Sequence, residues 1–197
     1  MDIYMERMKA DYNQLVDGLD AEFSRLDFYV NLRRAKKNEL LKTTNKIELN
    51  SRYICSGIVG LYFEDEDRPV LIQVFKETDV AFDVESYLNT SVTSFYLKCL
   101  SDVVYYELSK SSELQLVVNH PKFIKLLIAV KHRMLSRQTE RARIKNFGIS
   151  KGYPVFIKSV QGIENLLTQA DLATYFNCTT RTVRNAVRKY KLDSPMR

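Results

Sequence analysis

The stretch LTQADLATYFNCTTRTVRNAVRKYKL, at residues 167–192, decides how this chain is interpreted. Thr168 is a good N-cap for a first helix, and Asp171 completes an approximate capping box, with Asp in place of the usual Glu or Gln. Asn177 follows where a tight turn between helices needs a positive φ, which Asn accepts better than most residues other than Gly. Thr179 or Thr180 then caps a second helix, so the stretch predicts a helix-turn-helix.

The second helix has two faces of opposite character. Val183, Val187 and Tyr190 fall on one face and are expected to point inward. The opposite face carries long cationic or amide side chains, namely Arg181, Arg184, Asn185 and Arg188. Arg can bind the O6 and N7 atoms of guanine, and Asn can bind the N6 and N7 atoms of adenine. No acidic residue lies between Thr179 and Lys191, whereas a merely solvated face usually mixes both signs, so the pattern favours a DNA-recognition helix.

The charge of the chain is divided between its two parts. Residues 1–119 hold 14 Lys and Arg against 20 Asp and Glu, whereas residues 120–197 hold 16 against 4. An acidic front and a strongly basic back indicate two modules with different partners. A basic solvated surface is the alternative explanation, which charge alone does not exclude.

Composition limits the class of protein. A chain of 197 residues that is 45% hydrophobic can bury a core in one large domain or two modest ones. The cysteines Cys55, Cys99 and Cys178 are isolated and odd in number, which suits a reducing cytoplasm. The longest aliphatic run, LLIAV at residues 126–130, is far too short to span a bilayer, and the first residues lack the apolar core of a signal peptide. We therefore expect a cytoplasmic protein without a membrane partner.

The front of the chain changes from helical to extended patterning. Apolar residues at spacings of three and four predict a helix over the first thirty residues, which Gly18 weakens or kinks; they are Met8, Tyr12, Leu15, Leu19, Phe23 and Leu26. From about Asn38, segments rich in Val, Ile, Tyr, Phe and Thr alternate with turn-forming stretches and predict a small β-sandwich or barrel. Gly57 and Gly60 within a strand pattern indicate a bulge or a closely approached backbone.

The segment after NHPKF, at residues 119–123, predicts a long helix with two apolar rows. The first row consists of Phe123, Leu127, Val130 and Met134, and the second of Ile124, Ile128 and Leu135. Two rows suggest that one packs on the β module and the other on a second copy of the chain, and we assign the first row to the dimer interface. A single wide stripe buried within one monomer is the alternative.

Residues 167–190 resemble the helix-turn-helix of the Crp/Fnr (cyclic-AMP receptor/fumarate-nitrate regulator) superfamily of bacterial transcription regulators. The order of segments and the glycine in ICSGIVGLYF are also similar to that family. The resemblance implies an α+β fold with a cyclic-nucleotide-binding-like β-roll at residues 1–118, a dimerisation helix at 119–138 and a winged-helix-like DNA-binding domain at 139–197. It implies binding to double-stranded DNA as a homodimer on an inverted repeat, with RNA polymerase as a candidate further partner.

The chain departs from the family in its nucleotide pocket. Members that bind cyclic nucleotides pair a Gly-Glu step with an Arg-Ser or Arg-Thr step about ten residues later. Here Phe82 and Asp83 stand at the first step, and Thr93 and Ser94 at the second. Without the arginine a buried phosphate would lack its cation, so we expect no binding of cyclic AMP. With only three cysteines the chain also lacks the ligands of the iron–sulfur cluster of the oxygen-sensing branch, and we expect no cofactor. The sequence does not identify an effector, or whether there is one. The candidate effector pocket is Asp83, Glu85, Thr93 and Ser94.

The chain also departs from the family in its reading residues. The cyclic-AMP branch presents an Arg-Glu…Arg set, whereas the matching positions here are Thr180, Arg181 and Asn185, so the operator should differ. Thr168, Thr179 and Thr180 are expected to donate to backbone phosphates. The sequence ends soon after Leu192, and we expect no trailing wing hairpin.

Two other functions compete with DNA recognition. An enzyme is disfavoured because the only histidines, His120 and His132, lie twelve residues apart without a Cys or carboxylate at metal-ligand spacing, and no phosphate loop or nucleophile elbow is present. A ligand-sensing or protein-interaction module with a structural helix-turn-helix is the stronger rival. A recognition helix that no longer binds DNA should gain acidic or apolar residues on its outer face, and the second helix here has not.

Overall fold

The computed structural model describes residues 2–18 and 20–193 of the chain. The strands are β1 (Val30–Ala35), β2 (Leu40–Lys42), β3 (Asn50–Ser56), β4 (Val59–Phe63), β5 (Val70–Phe75), β6 (Val80–Ala81), β7 (Phe95–Cys99) and β8 (Val103–Ser109). The helices are α1 (Ile3–Asn13), α2 (Asp20–Leu26), α3 (Val84–Asn89), α4 (Lys110–Asn119), α5 (Phe123–Asn146), α6 (Gly148–Ser159), α7 (Gln169–Tyr175) and α8 (Thr180–Asp193).

The strands form a β-roll of two antiparallel four-stranded sheets. The first sheet has the order β1-β8-β3-β6 and the second β2-β7-β4-β5. Their facing sides enclose a core that includes Ile54, Val59, Leu97 and Val103. The predicted α+β class and the β-roll are therefore confirmed.

The outer faces of both sheets are covered by helices. On the first sheet, Tyr53 and Tyr106 pack with side chains of α1, α2 and the first half of α5. On the second sheet, Tyr62, Leu71 and Val74 share a core with α6, α7 and α8. The β-roll thus lies between an N-terminal helical layer and the helix-turn-helix.

The N-terminal helical pattern forms two helices rather than one. Met8, Tyr12, Phe23 and Leu26 are buried, as their spacing predicted. The break falls around Gly18, which has a φ of +78° that L side chains rarely adopt. Of the predicted apolar residues, Leu19 lies outside the described part of the chain.

Several element boundaries differ from the prediction. Strands β1 and β6 and helices α3 and α4 were not anticipated. The central helix predicted at 119–138 is α5, which begins at Phe123 because Pro121 lies in the preceding turn, and it continues to Asn146. It extends this far because Ile144, near its C-terminal end, is buried in the core beneath the helix-turn-helix.

Two glycines mark close approaches of the backbone. At Gly57, with a φ of +90°, an added Cβ would lie 2.2 Å from the carbonyl oxygen of Asp102, which confirms the predicted close approach. At Gly152 it would lie 2.4 Å from the carbonyl oxygen of Ile144 and 2.7 Å from the ring of Phe176. Gly152 therefore lets α6 cross the end of α5 closely enough to seat the helix-turn-helix.

Candidate nucleic-acid interface

Helix α7 begins with the predicted capping box. The Thr168 hydroxyl accepts a hydrogen bond from the Asp171 backbone N–H at 3.1 Å, and the Asp171 carboxylate accepts one from the Thr168 N–H at 2.8 Å. The same carboxylate also accepts from the Thr168 hydroxyl at 2.6 Å. That hydroxyl has one proton, and both capping hydrogen bonds use backbone N–H groups instead, so the cap persists if the proton turns to a phosphate. The phosphate contact of Thr168 stays a prediction.

The turn between the helices has the predicted conformation. Asn177 has a φ of +48°, in the left-handed region. The next residue, Cys178, donates its backbone N–H to the carbonyl oxygen of Ala173 at 2.9 Å, which closes the end of α7. Thr179 then caps α8 by accepting from the Thr182 N–H at 3.2 Å.

The inner face of α8 attaches it to the rest of the molecule. Val183 is completely buried in the core shared with Phe156, Leu172 and Phe176. Further along the helix, Tyr190 makes an edge contact with Tyr153, the ring centroids being 5.7 Å apart. The predicted docking face is therefore confirmed by its burial.

The outer face of α8 is exposed along its length. Arg181, Arg184, Asn185 and Arg188 are all exposed to solvent. None of these four side chains makes an ion pair, hydrogen bond or ring contact with another residue in the part of the chain that the structure describes. A row of cationic side chains without internal partners is free to contact phosphates and base edges.

This surface includes further exposed side chains that were not predicted from the sequence. Lys189 and Lys191 are also exposed on α8, and Thr182 is exposed beside the helix start. Lys189 follows Asn185 by four residues and so extends the same face toward the C-terminal end. The spacing of four residues between Asn185 and Lys189 could have predicted this extension, but the predicted face ended at Arg188.

Polar contacts join the helix-turn-helix to the β-roll. The Leu71 N–H, on strand β5, donates to the Thr174 hydroxyl of α7 at 3.1 Å. The ammonium group of Lys145 donates to the carbonyl oxygen of Ile72 and lies 4.3 Å from the ring centroid of Tyr175. Burial, and then the nearby Arg141, lowers the pKa of Lys145 from 10.5 to about 8. Burial raises the pKa of Tyr175 to about 12, although Arg141 opposes the shift.

Asp79 holds α5 to the β-roll near this joint. Its buried carboxylate accepts from Arg137 at 2.7 Å and from Arg141 at 2.6 Å, both on α5. Arg137 also donates to the carbonyl oxygen of Thr78 at 2.9 Å. The β5–β6 turn is therefore fixed to the helix that leads toward the helix-turn-helix.

Two of the predicted effector residues contact a buried cation, Lys42, that was not among the predicted pocket residues. Asp83 accepts from the Thr93 hydroxyl, so these two predicted pocket residues are brought together. Lys42 lies between them, fully buried, with its ammonium group 3.0 Å from Asp83, 2.9 Å from Thr93 and 2.7 Å from the carbonyl oxygen of Phe95. The ammonium group of Lys42 thus makes two hydrogen bonds and one ion pair with groups of the roll itself.

The remaining predicted pocket residues lie apart from this group. Glu85 is exposed in the first turn of α3, whose N-terminus is capped by Asp83. Ser94 is half-buried, and its carbonyl oxygen accepts from the Glu64 N–H. A second internal ion pair, between Arg52 and Glu48 at 2.9 Å, is also fully buried in the roll. Charged groups that pair with each other thus occupy the interior.

The first apolar row of α5 packs on its own chain, and the second row stays exposed. Phe123 is completely buried and Val130 is 9% exposed, and both pack in the core with α1 and α2, so their assignment to a dimer interface is wrong. Leu127 and Met134 are half-buried. The row that stays open is Ile124, Ile128 and Leu135, at 43%, 48% and 61% exposure. We call these three residues the open row of α5.

Among the described residues, no group of three or more His, Cys, Asp or Glu side chains could hold a metal ion. No helix in the described part of the chain is long and apolar enough to cross a membrane.

The fold matches solved structures at low sequence identity. The c-di-GMP responsive global regulator CLP of Xanthomonas campestris is 16% identical, with a TM-score of 0.65 over 88% of this chain and 93% of that one. FixK2 of Bradyrhizobium japonicum is 12% identical, with a TM-score of 0.63 over 83% and 85% of the two chains. The chain has the fold of the Crp/Fnr regulators.

A further neighbour is a cyclic nucleotide-binding domain containing protein from Listeria monocytogenes EGD-e, which is 14% identical with a TM-score of 0.65 over 94% of this chain and 91% of that one. No protein-family model matches the sequence, and no curated protein matches it. The resemblance is therefore supported at the level of the fold.

Proposed function

We propose that the chain is a cytoplasmic, homodimeric transcription regulator that binds an inverted-repeat DNA operator through the major groove. The observation that carries the proposal is the outer face of α8, where Arg181, Arg184, Asn185 and Arg188 are exposed and without partners among the described residues. A helix presented in this way by a helix-turn-helix enters the major groove with its N-terminal residues on base edges. The Crp/Fnr fold supports the same function.

The distance of each side chain from the start of α8 separates proposed base contacts from proposed phosphate contacts. Arg181 and Asn185 are the proposed base contacts, because they lie in the first two turns. Arg188, further along, is a proposed phosphate contact, and Arg184 can serve either purpose. The exposed Thr179 and Thr180 begin the helix, where hydroxyls and backbone N–H groups suit a phosphate.

The open row of α5 is the proposed dimer contact. Three large aliphatic side chains exposed along one helix are costly in water, and pairing α5 with α5 of a second copy would bury them. A two-fold dimer of this kind would present two α8 helices to half-sites roughly one helical turn apart. We further propose that the roll does not respond to cyclic AMP, since the buried cation Lys42 is already paired with the carboxylate of Asp83 and hydrogen-bonded to Thr93 and Phe95.

The proposal is tested by measuring affinity for a pool of random duplexes at several salt concentrations. A variant with Arg181, Arg184 and Arg188 replaced by Ala should lose most of its affinity and most of its salt dependence. The control replaces three exposed cations of the β-roll, Arg33, Lys37 and Lys46, and thus removes the same net charge. Circular dichroism verifies that both variants fold.

Equal losses in the two variants would show that net charge, and not α8, attracts the DNA. Wild-type protein that folds and dimerises but binds no duplex at low salt would favour the alternative function, a ligand-sensing or protein-interaction module with a structural helix-turn-helix.

A further inference from the structure

An apolar pocket lies outside the roll, between the first sheet and the N-terminal helical layer. Its volume is about 140 Å³. The sheet contributes Tyr53 and Val80, α1 contributes Met8, and α5 contributes Val130 and Met134. Apart from Ser51, Glu113 and Lys131, the lining side chains are aliphatic, aromatic or Met.

This pocket is separate from the interior of the roll, where the sequence located an effector site. Successive side chains of a strand point to opposite faces of a sheet. On β3, Arg52 points into the roll and pairs with Glu48, whereas its neighbours Ser51 and Tyr53 line the pocket on the other face. The Lys42–Asp83 pair also lies outside the pocket lining.

Of the four tyrosines that line the pocket, three have a hydroxyl that already donates a hydrogen bond. The Tyr53 hydroxyl donates to Asp11 at 3.0 Å, and the Tyr106 hydroxyl to Asp2 at 3.3 Å. The Tyr87 hydroxyl donates to Glu113. A ligand therefore meets few open hydrogen-bonding groups, and Glu113 and Lys131 carry opposite charges that give no net preference for an ion.

We propose that this pocket binds a small, neutral, apolar molecule of the size of a monocyclic aromatic or a short alkyl chain. An engineered protein cavity of about 150 Å³ with a similar aliphatic and aromatic lining stays dry and takes up benzene. The pocket has nearly the same volume and the same kind of lining, so a molecule of this class gains apolar burial there without stripping water from a polar group.

One wall of the pocket is formed by α5, so a ligand bound there can influence other parts of the molecule through this helix. Leu126, Leu127, Val130 and Met134 line the pocket on the helix that also carries the open row and ends beneath the helix-turn-helix at Ile144. A ligand there would act on the proposed dimer helix. This regulatory use rests on the proposed function, whereas binding in the pocket does not.

Methionine methyl groups allow a direct test with toluene as the probe. Met8 and Met134 line the pocket, whereas Met5 lies in the adjoining core without lining it. In full-length protein with ¹³C-labelled Met methyl groups, and without DNA, toluene should shift the Met8 and Met134 signals saturably and leave the Met5 signal in place. Half-saturation is expected at or below about 1 mM. Phenol, which must desolvate its hydroxyl, should bind at least several-fold more weakly.

Two variants that fill the pocket complete the test. Val80→Phe and Ser51→Leu should each abolish the toluene-dependent shifts, and having two positions guards against one failing to fold. Val118→Phe is the matched control, because Val118 is 68% exposed on α4 and does not line the pocket; it should bind toluene as wild type does.

Three results would overturn the proposal: no saturable shift up to the solubility of toluene, equal shifts of Met5, Met8 and Met134, or unchanged binding by both filled variants. A chain that binds toluene but no DNA would leave the pocket standing while the proposed function fails.

Discussion

Two arginines on α8 are expected to do different work. Arg181→Ala should relax the preference at one base pair of each half-site, a discrimination of about 1–3 kcal/mol, because a bidentate guanine contact is lost. Arg188→Ala should weaken binding to all sequences and reduce the slope of log affinity against log salt by about 1, because a phosphate contact is lost. Titrations of specific and random duplexes at several salt concentrations measure both effects, and equal losses on both duplexes for both variants would contradict this division.

Asn177 is the residue on which the shape of the helix-turn-helix depends. Its φ of +48° disfavours β-branched side chains, so Asn177→Val should lower the free energy of unfolding by about 1–2 kcal/mol. Asn177→Gly, the matched control, should change it by less than about 0.5 kcal/mol because Gly adopts positive φ readily. Urea unfolding followed by circular dichroism measures both variants. Equal stability of the Val and Gly variants would show that the turn tolerates other conformations.

Single residues also mark how far the sequence could be interpreted. Asp171 and Asn177 were predicted correctly because a capping box and a positive-φ turn depend on neighbours three or four residues away. Lys42 was overlooked because nothing near it in the sequence indicates burial; its partners Asp83, Thr93 and Phe95 lie 41, 51 and 53 residues along the chain. The site inside the roll is therefore created by tertiary structure alone.

Helix α5 shows the same limit at the level of an element. Its periodicity predicted two apolar rows, but periodicity does not say which row meets its own chain. In the structure the first row meets its own chain, because Phe123 is buried against α2 with its ring 6.3 Å from that of Phe23. Short elements such as β6 and α3 were missed because a few residues carry too little pattern, whereas α7 and α8 carry caps and a turn.

The open row of α5 makes a prediction about assembly. Ile128→Glu should weaken the proposed dimer by at least about tenfold, because a carboxylate would be buried without a partner at the helix pair. The fold of each chain should persist, since Ile128 is 48% exposed in the single chain. Leu114→Glu, at an equally apolar and 66% exposed position on α4, is the control and should dimerise normally. Sedimentation equilibrium measures both; a dimer that survives Ile128→Glu would rule out pairing through this row.

At the scale of the whole molecule, the contact between the β-roll and the helix-turn-helix contains a side chain, Lys145, that is costly to keep charged. Unfolded Lys145 holds its proton up to about pH 10.5, whereas folded Lys145 loses it near pH 8 because of burial. The unfolded chain therefore binds more protons between these pH values, and stability rises as the pH rises through that window. Relative to Lys145→Met, wild type should gain about 1–3 kcal/mol of unfolding free energy from pH 8 to 10.5.

The control for this prediction is Lys151→Met, at an exposed position on α6. Wild type should show no such gain relative to this variant, because an exposed ammonium group loses little solvation on folding. Chemical unfolding across the pH range compares all three proteins. A flat difference between wild type and Lys145→Met would mean that the ammonium group of Lys145 remains solvated in the folded chain.

The distribution of charge at this scale fits two modules with separate tasks. The acidic front folds into the β-roll with its N-terminal helices, and the basic back carries α8 and its open cationic face. The ion pairs of Asp79 with Arg137 and Arg141 attach the roll to α5, the helix that leads toward the helix-turn-helix. A signal received by the roll would therefore reach the proposed DNA-binding surface through α5.

Selection of bound duplexes from a random pool at moderate salt tests the central claim most directly, because unspecific attraction is suppressed there. The account predicts enrichment of a palindromic motif whose half-sites lie roughly one helical turn apart, and loss of that motif when Arg181 and Asn185 are both replaced by Ala. Enrichment of no motif by a folded, dimeric wild-type protein, with and without toluene, would contradict a sequence-reading role for α8.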